Sequence, residues 1–182
     1  MEIYIAIAVI AVLALWIVGI YNSFISLRNS VEEAFSTMDV FLKKRYDLIP
    51  NLVETVKGYA AHESGTLEKV IKARNMAMSA TGTEEKLAAE NALSGTLKSL
   101  FALSENYPDL KANANFLDLQ NQVKVVEEDI ATSRRFYNGV VKSYNIKCES
   151  VPSNIVAGIF GFKRKPLFEI DTEQRENVKI QF

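Results

Sequence analysis

The chain has 182 residues, with 21 Lys and Arg against 22 Asp and Glu, for a formal net charge of −1. Near-balanced charge excludes a global field that would attract nucleic acid, and a single cysteine excludes an internal disulfide. One histidine, His62, excludes a multi-histidine metal site within one chain, while only four prolines and eight glycines predict a mostly helical fold.

Residues 3–21, IYIAIAVIAVLALWIVGIY, carry no charge, and the uncharged run continues to Leu27. About twenty apolar residues in a helix cross a hydrocarbon core of ~30 Å. Tyr4 at one end, and Trp16 and Tyr21 toward the other, are rings that favour the membrane–water interface. The start Met1-Glu2 is not the basic opening of a signal peptide, and residues 19–23 make a poor cleavage site. A core helix of a soluble protein would carry polar residues on at least one side. The stretch therefore reads as one retained transmembrane helix behind a short N-terminus. Basic residues follow it, at Arg28 and at Lys43-Lys44-Arg45, and none precede it. That asymmetry places the N-terminus outside and the remaining chain in the cytoplasm.

The helical pattern runs on from Asn22. Phe24, Leu27, Val31, Phe35, Met38, Leu42, Arg45, Ile49, Leu52, Val56 and Tyr59 keep three-or-four spacing, an apolar seam of heptad type. One long helix is expected, ending near Ala61. Pro50 removes one backbone hydrogen bond, at a cost of roughly 3 kcal/mol. The seam keeps its phase across it, so a kink is expected there, not an end. His62-Glu63-Ser64-Gly65 reads as a turn, with His62 capping the first helix. Leu67, Val70, Ile71, Arg74 and Met78 mark a second, shorter helix. Thr83 reads as the N-cap of a third, with Glu84 and Glu85 in its first turn. That helix carries Leu87, Leu93, Leu97, Leu100 and Phe101 and stops at Tyr107-Pro108. Asp109-Leu110 leads into the fourth. Its seam is Phe116, Leu119, Val123, Val126, Ile130, Arg134, Tyr137, Val141 and Tyr144, and Val151-Pro152 ends it.

The expected fold is all-α. A transmembrane helix continues into an elongated antiparallel four-helix bundle with an extended C-terminal tail, in which residues 178–182 alternate with period two. The domain limits are 1–21 for the N-terminal segment and span, 22–149 for the bundle, and 150–182 for a membrane-proximal segment and tail. The first helix leaves the membrane, so the fourth must return toward it. The segment after the fourth helix holds Ile155, Ile159, Phe160 and Phe162 beside Lys163, Arg164 and Lys165. Such residues suit contact with an anionic leaflet. The competing reading is a short Ser153-capped helix folded back on the bundle, followed by a solvated basic loop.

Several ordered motifs stand out: Arg45-Tyr46-Asp47-Leu48-Ile49-Pro50-Asn51-Leu52-Val53, then His62-Glu63, Arg74 and Tyr107-Pro108-Asp109-Leu110. Glu127 and Glu128 precede Arg134-Arg135-Phe136-Tyr137-Asn138, and Tyr144-Asn145 and Pro152 follow. In these the chain resembles the LemA family of bacterial membrane proteins, over essentially everything after the span. The resemblance implies a short N-terminus, one span and a helical-bundle domain in the bacterial inner membrane. It also links the chain to relatives at organelle membranes of magnetotactic bacteria and to relatives encoded near membrane-protease genes. It brings no biochemical role.

Arg45 and Arg134 fall on apolar seams, and an unpaired buried charge is costly. Asp47, Glu54, Glu127 and Glu128 are the expected partners. The arrangement is either a ligand-binding or switching site or, more simply, a register-fixing ion pair. Tyr137-Asn138 and Tyr144-Asn145 share a face seven residues apart, either as a partner-binding ladder or as buried tyrosines with satisfied hydroxyls. Tyr21-Asn22 could meet Tyr144-Asn145. No paired Glu-x-x-His, phosphate loop, nucleophile elbow or CxxC occurs, so no cofactor or metal is expected. Cys148 reads as a plain, partly buried thiol. The expected role is a non-catalytic, single-pass scaffold or adaptor that self-associates, helped by Ala8, Ala11, Ala14 and Gly19 in the span. Its partners are the lipid bilayer, further copies of itself and a membrane protein such as a membrane protease, with no nucleic acid. Membrane shaping or lipid sensing through residues 155–165 is the alternative. An enzyme using His62, Glu63 and Arg45 ranks last.

Overall fold

The computed structural model describes residues 1–168, and these form six helices and no strand. They are α1 (Glu2–Lys57), α2 (Ser64–Ser79), α3 (Thr83–Ser104), α4 (Pro108–Lys111), α5 (Ala114–Glu149) and α6 (Ser153–Phe160). The tail expected to be extended, residues 178–182, lies outside the described residues. Two compact units divide the chain: Met1–Met38 with Ser133–Leu167, and Asp39–Thr132 with Phe168.

The first unit contains the apolar stretch. Every residue from 1 to 19 is exposed, so this part of α1 is apolar on all sides and covered on none. α1 is long and apolar enough to cross a membrane. Burial begins where the seam begins, at Phe24, Val31 and Met38, and Tyr137, Val141 and Tyr144 of α5 complete this core. α6 adds Val156 and Ala157 and leaves Ile155, Ile159 and Phe160 exposed. Its cap is Pro152, not Ser153: the buried Ser153 hydroxyl instead donates to the carbonyls of Lys147 (2.7 Å) and Ser150 (2.9 Å). Gly161 ends α6 at φ 73°, in the left-handed region where a Cβ is costly. The Phe162 N–H returns to the Ala157 carbonyl at 2.9 Å. That reversal aims Phe162 at Phe24, with ring centroids 4.6 Å apart and planes within 11°. Tyr21 packs on Phe160 (4.8 Å) and Phe162 (5.7 Å). The partner of Tyr144 is Phe24, at 6.1 Å edge to face, in the place where Tyr21 was a candidate.

In the second unit the buried seam of α1 continues through Leu42, Ile49, Leu52 and Val56. α1 ends at Lys57, earlier than expected, because Gly58 follows and the Tyr59 and Ala60 N–H groups both turn back to the Val56 carbonyl. His62 is exposed in the turn that follows. Along α2 the buried positions are Leu67, Val70, Ala73 and Ala77, while Met78 is exposed. Small alanines carry this face, and a search for large apolar residues passes over them. Gly82 rather than Thr83 takes the cap position of α3, and the Glu85 carboxylate accepts the Thr81 N–H at 3.4 Å. α5 starts at Ala114 because Asn113 caps it, its Oδ1 accepting the Phe116 N–H at 2.9 Å. Asp109-Leu110 therefore belongs to the separate turn α4.

Pro50 sits inside α1 without ending it. A proline has no N–H, so the carbonyl four residues earlier loses its helical donor. That carbonyl belongs to Tyr46, and Arg74 Nε of α2 donates to it at 2.8 Å. The cost of the proline is thus offset by a charged donor from a neighbouring helix.

Candidate functional site

Arg45 is among the largest fully buried side chains of the described residues. It sits one turn before Ile49 on the α1 seam, so the helix period that buries Leu42 and Ile49 also buries its guanidinium. Its Nη2 pairs with Glu90 of α3, both side chains being 0% exposed. Its Nη1 donates to Glu127 of α5 at 2.5 Å and to the Ser94 hydroxyl at 2.9 Å. The Glu127 side chain is 34% exposed, so it forms the open edge of the cluster. The neighbouring Tyr46 donates its hydroxyl to the other oxygen of Glu90. Burial first, then the bond to Glu90 and its charge, hold the Tyr46 phenol well above its ordinary range. Lys86 closes the periphery, paired with Asp39 at 2.8 Å and lying over the Tyr46 ring at 5.8 Å.

One guanidinium thus serves two carboxylates and a hydroxyl drawn from two other helices. Moving any of the three helices by one turn would strand a charge in the core, which is costly. The cluster fixes mutual register and exposes one carboxylate at its edge.

Of the four partners expected for the seam arginines Arg45 and Arg134, Glu127 is bonded to Arg45. Asp47 is exposed and pairs with Lys43 at 2.9 Å, Glu54 pairs with Lys57 at 3.7 Å, and Glu128 is exposed. Glu90 was missed. The signal was present: Glu90 stands three residues from both Leu87 and Leu93, inside the seam of α3. Pro50 and Asn51 are exposed, and the Asn51 carbonyl accepts the Thr55 hydroxyl at 2.8 Å. Arg134 and Asn138 are half-buried.

In the first unit Tyr137 donates its hydroxyl to the Pro166 carbonyl at 3.1 Å. Asn145 binds Lys165 twice, Nδ2 donating to its carbonyl and Oδ1 accepting its N–H, both at 2.9 Å. Burial raises the Tyr137 phenol and pushes Tyr144 up to about 12, with the Cys148 thiol as a lesser cause. Burial likewise raises Cys148, which disfavours a reactive thiolate. Among the membrane-contact candidates, Trp16, Ile159, Phe160, Lys163 and Arg164 are exposed, and Tyr21, Phe162 and Lys165 are half-buried. Arg164 pairs with Glu149 at 2.9 Å.

These features define an all-helical protein with one N-terminal helix able to cross a membrane and a buried arginine cluster tying three helices together. The chain belongs to the LemA family, which it matches over residues 34–182. It is similar to Protein LemA of Metamycoplasma hominis, with 26% identity over 88% of this chain and 74% of that protein. It is also similar to Magnetosome protein MamQ 2 of Paramagnetospirillum magneticum, with 25% identity over 82% of this chain and 64% of that protein. Magnetosome protein MamQ of Magnetospirillum gryphiswaldense is 22% identical over 81% of this chain and 64% of its own length. The chain therefore spans just under two thirds of the MamQ relatives.

Proposed function

We propose that the protein is a single-pass, membrane-anchored scaffold or adaptor that self-associates and has no catalytic activity. The observation that carries this is α1, whose residues 3–19 are uncharged and exposed all round before the same helix enters a packed core. In this reading residues 1–21 span the bilayer, and the four long helical stretches form an antiparallel bundle on the cytoplasmic side. Arg28, Lys163, Arg164 and Lys165 supply the basic residues of that side. Exposed Val40, Leu117 and Val125 in the second unit, and the small residues Ala8, Ala11, Ala14 and Gly19 in the span, support association of copies. Arg45, Glu90 and Tyr46 are turned toward one another, which supports a structural use of the cluster. A membrane protein such as a membrane protease is a further partner in this reading. Light scattering of the full chain in nanodiscs tests it: several copies per particle are expected, and a monomer that co-purifies with no other protein would overturn it.

A second reading rests on α6. Ile155, Ile159 and Phe160 are exposed, and Phe160 packs on Tyr21, where the apolar stretch of α1 ends. Here α6 lies in the bilayer interface and senses or shapes the membrane. A spin label at Phe160→Cys, in a Cys148→Ser background in nanodiscs, is expected to be shielded from a water-soluble relaxant. Full accessibility would remove this reading.

A further inference from the structure

α3 and α5 flank an open-sided cavity of about 560 Å³, and all of its lining lies within the second unit. Ser94 and Glu127 both bond Arg45 Nη1, so they mark one end. Phe101, seven residues beyond Ser94, and Leu117, ten before Glu127, mark the other. At 1.5 Å per residue the slot is roughly 10–15 Å long between antiparallel helices. Buried Leu97 and Val123 form its floor, Phe101 and Leu117 its more open apolar side, and Gln120 and Asn121 lie on the same rim. Lys98 lies midway along the α3 side, four residues from Ser94 and three from Phe101, and Lys124 lies one turn from Glu127, so the lysines flank the slot from its middle to its Glu127 end. Neither forms an ion pair among the described residues. Within the cluster, Glu90 offsets Arg45 inside the core. Against the lone charge of Glu127 the two lysines leave the rim with one excess positive charge.

A slot with an apolar floor, a charged flank and a volume within the ~300–1,000 Å³ of ordinary ligand sites fits a particular chemistry. We propose that the cavity binds a single-chain anionic amphiphile, a fatty acid or alkyl phosphate. Its anionic group sits at Lys98 and Lys124, and its chain runs along Leu97 and Val123 toward Phe101 and Leu117. Ligand occupancy then bears on the Arg45 cluster, because Glu127 and Ser94 belong to both.

The test uses the full chain in phosphatidylcholine nanodiscs and a diazirine-bearing dodecanoate, with photolabelled residues mapped by mass spectrometry. Label is expected on the wall between residues 97 and 101 and between 117 and 123. Unlabelled dodecanoate or dodecyl phosphate should compete, and whichever does so at lower concentration identifies the preferred head group. Dodecyltrimethylammonium should compete at least tenfold more weakly, and inorganic phosphate not at all. Lys98→Gln with Lys124→Gln, both at exposed positions, should weaken labelling at least tenfold. Leu117→Glu, at a site 46% exposed, should abolish it. Label spread over the outer helix faces of the wild-type chain would overturn the proposal even if a variant failed to fold. Equal competition by the cationic amphiphile would do the same.

Discussion

Glu90→Leu is the most informative perturbation of the core. Glu90 and Arg45 are both fully buried, and Glu90 also accepts the Tyr46 hydroxyl. Removing it strands a guanidinium with only the half-open Glu127 and Ser94 left, and orphans a phenol whose other acceptor, the Ala77 carbonyl, is 3.4 Å away. Breaking one side of a buried ion pair costs about 3–5 kcal/mol. At roughly 2–4 °C per kcal/mol for a chain of this size, the melting midpoint should fall by about 6–20 °C. Replacing both partners by apolar residues is often neutral. Arg45→Met with Glu90→Leu should therefore melt above Glu90→Leu alone. The assay is circular-dichroism melting of the full chain in one mild detergent. A midpoint for Glu90→Leu within about 2 °C of wild type, or a double variant as low as the sum of the singles, would refute the reasoning.

The remaining predictions concern the supports of this core. Arg74→Met should cost roughly 1–3 kcal/mol by orphaning the Tyr46 carbonyl. In a Pro50→Ala background the loss should shrink toward zero, because the substitution restores the helical N–H donor, and a melting cycle of the four proteins reads the coupling. Asn145→Ala removes both bonds to the Lys165 backbone, so trypsin should cut after Lys163 or Arg164 several-fold faster. Tyr46, Tyr137 and Tyr144 all have folded pKa values above the ordinary phenol value of ~10. Their contribution to stability is therefore complete below pH ~10 and lost as pH rises from there through about 12. Phenolate absorbance of the folded chain should lag that of free tyrosine across this window, and melting midpoints should fall within it.

Local pattern made most of the helices legible. Phe24, Val31, Met38, Leu42, Ile49, Leu52 and Val56 all lie on the expected seam, and all are buried. The apolar stretch before them is recognisable because no residue in it is charged. The edges were harder. Thr83 looked like a cap until Gly82 took that place, and Asn113 set the start of α5 through one side-chain bond. Arg45 could be read as buried from its phase alone. Glu90 could not be paired with it from spacing, since the two lie 45 residues apart and only tertiary packing brings them together. The link between Pro50 and Arg74 was hidden for the same reason: Pro50 announces a vacant carbonyl, but not the helix that fills it. The cavity between α3 and α5 depends on how side chains fall short of filling a gap, which no one-dimensional pattern records.

In the proposed role, a membrane-anchored helical chain gathers copies and partners. The most direct test of this role is the mass of the full-length protein in nanodiscs, measured by light scattering with electron microscopy of the same particles. The account predicts particles holding several copies in a defined arrangement. A single copy per particle, with no other protein bound, would contradict it.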